Sequence, residues 1–513
     1  MAWLHTWAGL LLGWLLFAMF FSGTAAYFQY EITGWMQPEV HGPADPVKAS
    51  EGAVRTLARI APDAKTWFIT PPDRRSLTTS VFWIPGEGAP PARRGETQAV
   101  LDGNGQDVTI RDTRGGAFFY RFHFDLHYMP VIAARYLVGV AAMFMLIAIL
   151  SGIVTHKKIF VDFFLLRFGK GQRSWLDAHN VTAVVALPFY LMVTYTGLVT
   201  LATLYMPWGV AANYASQDTF FAQMFPRTAA VERSGRAVPL APLAPMFAEA
   251  KARWQGAGVG FLQIDNPGDA TAQVLLSRSP ADAIGSRGQT LLFDGSTGAV
   301  LRASPEPGGA AATESVMIGL HAGRFADWGL RWFYFLSGVG GTIMVGSGLV
   351  LWTVKRRGKL PDPAHPPLGF RLVERLNLAT IAGLPAGAAA FFLANRLLPI
   401  ELAGHAPWEV HSLFIVWGAA LVWAIARPVR RAWVETLTAA AALFALVPFV
   451  NALTTPRNLV ASLMQADWLF AGFDLAMLVL ALALGRAALA VSRHTPATRK
   501  KRAPRTPSQQ VPA

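Results

Sequence analysis

Histidines mark the ends of the first four apolar segments of this 513-residue chain, and imidazole is the commonest metal ligand among side chains. The topology derived below sorts these histidines into two groups. One group is His5, His156 and His179, and the other is His123, His127 and His321. Two neutral imidazoles from facing helices are a common axial pair for haem iron, so the two groups predict two haem sites. A transition-metal site or a channel that uses the same imidazoles stays an alternative.

The sequence contains no cysteine, which excludes disulfides, thiol nucleophiles, cysteine-ligated iron–sulfur clusters and thioether-attached haem. It also lacks a G-x-x-x-x-G-K-[ST] motif and a dinucleotide fingerprint that follows a strand. An electron-carrying cofactor must therefore be held by His, Met or carboxylates, or without covalent attachment. Its electrons must come from another protein or from a membrane quinol.

The elements that position the histidines are apolar segments long enough to cross a bilayer. The chain is 53% hydrophobic and only 15% charged. Eight transmembrane helices are predicted, at residues 7–28, 132–155, 181–204, 332–354, 376–398, 408–426, 433–453 and 468–491. We therefore predict a mainly α-helical polytopic membrane protein, with a four-helix haem-binding core and about four further transmembrane helices.

The formal charge of +14 is concentrated in alternate short loops and in the C-terminal tail. Lys157 and Lys158 follow the second segment, Arg356 and Arg357 follow the fourth, and the tail is basic. The positive-inside rule therefore places both termini in the cytoplasm, and the charge reflects topology rather than nucleic-acid binding. No Lys or Arg precedes the first segment, so we predict a retained helix there and not a signal peptide.

Two long segments, 31–121 and 207–331, then lie outside the cytoplasm and repeat one pattern. In the first, a helix at 46–60 precedes strands at 66–70, 79–84 and 98–101; in the second, a helix at 243–254 precedes strands at 259–264, 272–277 and 289–293. Each predicts a small α+β domain, with either a structural or a binding role. The first segment lies between transmembrane helix 1 (1–30) and helices 2 and 3 (122–206), and the second lies between helices 2 and 3 and helix 4 (332–357). Transmembrane helices 5–8 (358–492) and a basic tail (493–513) follow.

Four short motifs resemble those of the PepSY-associated transmembrane family. They lie at residues 4–10, 151–158, 169–181 (GKGQRSWLDAHNV) and 320–325 (LHAGRF). Over about residues 1–360, the chain is most similar to bacterial inner-membrane ferric-siderophore reductases of the ferrioxamine-utilisation type. The resemblance implies two PepSY-like periplasmic domains, haem b with bis-histidine ligation, and one-electron reduction of ferric siderophores at the periplasmic side.

Carried onto this chain, the resemblance makes His127 and His321 the ligands of the outer haem. His179 with His5 would hold the inner haem, and His156 is the alternative to His5. His123 is four residues from His127 and shares its face if that segment is helical. The 29 residues from His127 to His156 would span roughly 43 Å as a helix, a long gap for electron transfer.

Four arginines lie near the outer histidines in sequence and are predicted to attract haem propionates or an anionic chelate. They are Arg121, Arg135, Arg324 and Arg331. The predicted function is a di-haem b electron conduit with a ferric siderophore as substrate, membrane lipid around it, and a quinol or a cytoplasmic reductase as donor. The alternatives are a transporter of siderophore, metal or haem, and a cofactor-free PepSY regulatory protein.

Overall fold

The computed structural model describes residues 2–40, 44–88, 96–155, 166–167, 169, 171–224 and 231–494. The helices before residue 225 are α1 (Ala2–Leu11), α2 (Gly13–Ala26), α3 (Gln29–Met36), α4 (Pro46–Ile60), α5 (Gly115–Asp125), α6 (Val131–Thr155), α7 (Gln172–Val185), α8 (Leu187–Thr200), α9 (Ala202–Tyr205), α10 (Trp208–Asn213) and α11 (Gln217–Met224). The later helices are α12 (Leu243–Arg253), α13 (Gly309–Ala322), α14 (Trp328–Arg357), α15 (Leu368–Leu378), α16 (Leu384–Leu397), α17 (His405–Ala426), α18 (Val429–Thr454), α19 (Leu459–Met464) and α20 (Trp468–Arg493).

Six helices in the described part of the chain are long and apolar enough to cross a membrane, or up to eight if each of two bent pairs is one span. The six are α6, α14, α17, α18, α20 and the helix that α15 and α16 form through a π-helical turn at Ala379–Gly383. The bent pairs are α1 with α2, at 62°, and α7 with α8, at 69°. The prediction of a polytopic helical membrane protein is confirmed at this level.

The first and third predicted segments are thus bent rather than straight. In the third, Pro188 lies in the first turn of α8, where its missing N–H costs no intrahelical hydrogen bond. The chain bends here because α8 begins as a new helix, with a single residue between the end of α7 and the start of α8. The helix of α15 and α16 is buried along most of its length and separates the first four spans from α17, α18 and α20.

The strands of the two long segments, 31–121 and 207–331, form one antiparallel sheet of seven strands. The strands are β1 (Thr66–Thr70), β2 (Thr79–Ile84), β3 (Gln98–Leu101), β4 (Val259–Asp265), β5 (Gln273–Arg278), β6 (Thr290–Asp294) and β7 (Val300–Ala303), in the order β3-β2-β1-β4-β5-β6-β7. β1 pairs with β4, so each segment covers the edge that the other would expose. Trp67, Ile69 and Ile264 pack under Leu57 of α4 and Met246 of α12.

Asp269 fixes the turn between β4 and β5. Its buried carboxylate accepts hydrogen bonds from the backbone N–H groups of Ser234, Gly235 and Thr271. The Ser234 and Thr271 hydroxyls donate as well. The Thr271 N–H and these other donors hold the pKa of Asp269 well below its usual value, because each stabilises the ionised form.

Replacing Asp269 with asparagine is therefore expected to destabilise the sheet at neutral pH. The depressed pKa means that the wild-type gain is present above about pH 4 and is lost as pH falls through the folded-state pKa. Hydrogen exchange of β4 and β5 should show a deficit at pH 7 that shrinks near pH 3. Asp107→Asn, in an exposed pair with Arg59, is the control. An Asp269→Asn deficit that is equal at both pH values would contradict this account.

Candidate cofactor site

Two short helices, α5 and α13, place one histidine each among the membrane spans. α5 and α13 precede α6 and α14, and each carries one histidine near its C-terminal end: His123 and His321. α5 packs against α2, and α13 packs against α8. Glycines on α2 and α8 let the two imidazole rings lie this close to the helix backbones. A Cβ on Gly23 would lie 2.6 Å from His123 Nδ1, and a Cβ on Gly197 would lie 2.8 Å from His321 Cε1.

His123 and His321 form the outer pair, with ring centroids 6.0 Å apart and an interplanar angle of 34°. His123 Nδ1 lies 2.7 Å from the carbonyl oxygen of Met19, and His321 Nδ1 lies 2.9 Å from that of Val193. A carbonyl only accepts hydrogen bonds, so Nδ1 carries the hydrogen and Nε2 of each neutral ring keeps its lone pair. A second-shell hydrogen bond of this kind is what metal-binding histidines usually make.

His5 and His179 form the inner pair, with ring centroids 6.3 Å apart and an interplanar angle of 76°. His179 Nδ1 lies 2.8 Å from the carbonyl oxygen of Met344 on α14. A Cβ on Gly348 would lie 3.1 Å from His179 Cε1, so a glycine again permits the approach. The inner pair that the sequence predicts is therefore adjacent in the structure. His156, the alternative to His5, lies outside the described residues.

The chemistry of each pair fits two axial ligands of one metal ion. Imidazoles that share an ion through nitrogens at about 2 Å place their ring centroids roughly 6 Å apart, as both pairs do. Edge-to-face packing alone allows the same separation. In the described part of the chain, no group of three or more His, Asp or Glu side chains could hold a metal. A planar ligand would have to supply the remaining donors.

A cavity of about 370 Å³ adjoins the outer pair and suits a flat, mostly apolar group. Phe20, Phe189 and Met145 are among its apolar lining residues. Gly338 on α14 lines it without a side chain, and a Cβ there would press on Thr24 of α2. Donor set, cavity and glycines together fit a bis-histidine haem at the outer pair.

The structure places His123, and not His127, beside His321, so His127 as a ligand of the outer haem is a prediction that the geometry does not favour. α5 ends at Asp125, and Leu126 takes a left-handed φ of 54°, so His127 leaves the helix face of His123. Its ring instead stacks on Phe414 of α17, with centroids 5.4 Å apart. Pro130 was the signal in the sequence that α5 ends before α6, because helices usually end at or before the residue that precedes a proline.

The outer and inner histidine pairs are closer to each other across the membrane than the helix length from His127 to His156 suggested. Gly338 lines the outer cavity, whereas Met344 and Gly348 contact His179. These contacts lie six to ten residues apart on α14, or about 9–15 Å along its axis. The distance between the two pairs is shorter because α5 and α13 pack between the spans, so that the outer pair lies among the membrane helices.

Residues 2–355 match the model of the family described as PepSY-associated TM region. The chain belongs to this family. The match ends near the C-terminus of α14, so α15–α20 lie beyond it. A similar protein from Pseudomonas aeruginosa (strain PAO1), named Uncharacterized protein PA4219, is 29% identical over 312 residues, which cover 57% of this chain and 76% of that protein.

The four predicted arginines of this PepSY-associated TM protein differ in their surroundings. Arg135 and Arg324 line the outer cavity, and Arg135 also pairs with Asp125 at 2.8 Å. Arg121 is exposed and pairs with the same carboxylate at 3.3 Å, while Arg331 is buried against Glu31. Nε of Arg324 is buried and has no hydrogen-bond partner among the described residues. Arg324 is therefore the arginine best placed for an anionic group.

A second cavity, of about 540 Å³, lies under the sheet and adjoins the outer one. Both are lined by Gln29, Ser286 and Arg324. The second also receives Ser277 from β5 and Arg278, whose buried Nε has no hydrogen-bond partner among the described residues. Hydroxyl and guanidinium donors there suit an oxygen-rich anion.

The helices beyond the family match hold the elements of the outer site through buried polar groups. Glu409 of α17 is fully buried and accepts hydrogen bonds from Thr113 Oγ1 and Arg114 N, just before α5. Arg396 of α16 donates to the Trp35 carbonyl oxygen at the end of α3.

Proposed function

We propose that this protein is a di-haem b electron-transfer protein of the bacterial inner membrane that reduces Fe(III) in ferric siderophores at the periplasmic face, with both termini cytoplasmic. The observation that carries the proposal is the pairing of four imidazoles into two sets with 6.0 and 6.3 Å between centroids. Three of the four imidazoles form a hydrogen bond from Nδ1 to a backbone carbonyl oxygen, and this bond orients the ring as a metal ligand requires.

His123 and His321 would hold the outer haem, and His5 and His179 the inner one. Bound haem supplies a one-electron Fe(III)/Fe(II) couple whose potential depends on axial ligands, burial and nearby charge. Arg135 and Arg324 line the cavity at the outer pair and would neutralise propionates. Phe20, Phe189 and Met145 line the same cavity with apolar surface.

The cavity under the sheet supports a ferric chelate as the substrate. Its hydroxyl groups and the Arg278 and Arg324 guanidinium groups can bind the oxygen atoms of an anionic chelate next to the outer pair. Hard oxygen donors hold Fe(II) less tightly than Fe(III), so one-electron reduction favours iron release. The reaction requires no catalytic acid or base.

The test is a visible spectrum of detergent-purified full-length protein, oxidised in air and then reduced with dithionite, with a pyridine haemochrome assay for stoichiometry. We expect low-spin b-type bands, about two haems per chain, and reoxidation of the reduced protein by a ferric hydroxamate chelate. Protein that binds no haem when haem is supplied would contradict the proposal. Siderophore uptake by such protein would favour the transporter, and neither activity would favour a regulatory role.

A further inference from the structure

A surface cluster of aromatic rings surrounds the histidine that the outer pair does not use. The cluster consists of His127, Tyr128, Trp408, His411 and Phe414. The Tyr128 hydroxyl is hydrogen-bonded to His411 Nδ1, and the two rings are nearly parallel, at 9°. The cluster thus joins one phenol and two imidazoles, three groups that exchange protons or hydrogen bonds.

The backbone of the 126–130 turn is strained in the conformation that presents these rings. Leu126 and Tyr128 both have positive φ, 54° and 56°, a conformation that residues other than glycine rarely adopt. Tyr128 is 61% exposed even though its hydroxyl is paired with His411. An aromatic residue that only anchored the protein at the interface would not need this backbone.

His411 lies on the face of α17 that points away from the protein. Trp408, Ile415 and Val422 of that helix are 48%, 60% and 67% exposed, at the three- and four-residue spacing of one helical face. On a membrane-spanning helix this face contacts lipid. Imidazoles at such a position are costly, so they are candidates for function.

We propose that this cluster binds the head group of a membrane quinol that enters from the lipid phase. The flat rings of Tyr128, His411 and Phe414 offer stacking surfaces for a quinol ring, and the His127 and His411 imidazoles face its hydroxyl groups. A quinol reaches the site through lipid, which matches a site on a lipid-facing helix. This inference rests on the proposed function, for which it names the electron donor.

Aromatic contacts connect the cluster to α5, the helix that carries His123. Phe122, next to His123 in α5, meets Phe414 edge-on at 5.8 Å between centroids, and His127 stacks on the same Phe414. Oxidation of one quinol to the quinone releases two electrons and two protons. The electrons reduce two ferric ions, one electron each, and the protons pass through the imidazoles to water at the outer face.

The charge state of His127 is compatible with accepting a proton. Burial, followed by the positive charge of Arg114 and the neighbouring His411 imidazole, lowers the pKa of His127 below its usual value. A neutral imidazole in the turn before α6 can therefore take a proton from a quinol hydroxyl and release it to water.

Photoaffinity labelling of the full-length protein in lipid nanodiscs tests the site without depending on turnover. With an azido derivative of a short-chain benzoquinone, we expect label on the peptides that contain residues 127–128 and 408–414. Tyr128→Phe and His411→Ala should each weaken binding of the unlabelled quinone about fivefold or more, because each removes a hydrogen-bonding group. Trp468→Leu, at a 66% exposed tryptophan that begins α20, is the control and should change affinity less than twofold.

The haem spectrum of the same samples separates the two proposals. Haem-loaded protein that labels elsewhere, or binds the quinone equally well in both variants, overturns the quinol site and leaves the reductase proposal standing. Protein without haem overturns the proposed function and this inference with it. Duroquinol should reduce the haem-loaded wild type faster than the His411→Ala variant, whereas dithionite should reduce both fully.

Discussion

Replacing His123 with alanine is expected to remove roughly one of two haems per chain, because the outer pair then keeps a single imidazole. His123 Nδ1 is anchored on the Met19 carbonyl, and its ring lies beside that of His321. The substitution leaves α5 able to pack, since alanine favours helix and Gly23 already tolerates close approach. A pyridine haemochrome assay with the reduced spectrum measures the loss.

The matched control is His127→Ala, four residues further along the chain. His127 stacks on Phe414 outside α5, so this variant should keep about two haems and a wild-type reduced spectrum. His179→Ala should lose the other haem, because His179 belongs to the inner pair. If His127→Ala lost one haem and His123→Ala lost none, the assignment of the outer pair would be wrong.

The local elements could be predicted from sequence because their signals are local. The strands at 66–70, 79–84 and 98–101 and the helix at 46–60 begin and end where predicted. Asp45 caps that helix by accepting from Val47 N and Lys48 N, and Pro46 follows it at the first helical position. The turn after β3 is fixed by Asp102, which accepts from Asn104 N.

The pairing of the segments 31–121 and 207–331 in one sheet could not be predicted from sequence. β1 and β4 are nearly two hundred residues apart, and their register, Thr66 opposite Asp265, depends on how the membrane helices bring the segments together. Alternation within a strand shows which face is buried but not which strand completes its edge. The sequence therefore predicts two small units, whereas the structure has one sheet.

Sequence reasoning could not show which of His123 and His127 lies beside His321, for a similar reason. Both are histidines on an aromatic-rich segment, and spacing alone places them on one face of a helix. The helix ends between them, and the glycine that admits His123, Gly23, is a hundred residues away on α2. His5 and His179 could be placed in one group with His156, because all three lie near the predicted cytoplasmic ends of the spans, and the resemblance then pointed to His5 with His179.

Glu409 connects the helices beyond the family match to α5, the helix that carries His123. Its Oε2 accepts from Thr113 Oγ1 at 2.8 Å and from Arg114 N at 2.9 Å, and its Oε1 accepts from Asn395 Nδ2 at 2.6 Å. Asn395 and Glu409 have no exposed surface. In lipid or protein interior no water replaces these partners, so their loss leaves buried donors unsatisfied.

Replacing Glu409 with alanine is therefore expected to destabilise the protein and to loosen the outer haem. Each buried donor left without a partner costs about 1–3 kcal/mol, and the Arg114 N–H and Asn395 amide are both affected. Scanning fluorimetry in detergent should show a lower unfolding temperature, and haem titration a weaker outer site. Glu409→Gln keeps acceptor oxygen and should lie between alanine and wild type.

Glu435→Ala is the matched control, because Glu435 pairs with Arg427 where both side chains are about one-third exposed. Such a pair contributes about 0–1 kcal/mol, so this variant should unfold near the wild-type temperature and keep its haem. A Glu409→Ala protein that unfolds like Glu435→Ala would show that α15–α20 do not hold α5. A protein that loses stability but keeps outer-haem affinity would restrict Glu409 to packing, since α5 would then stay in place without it.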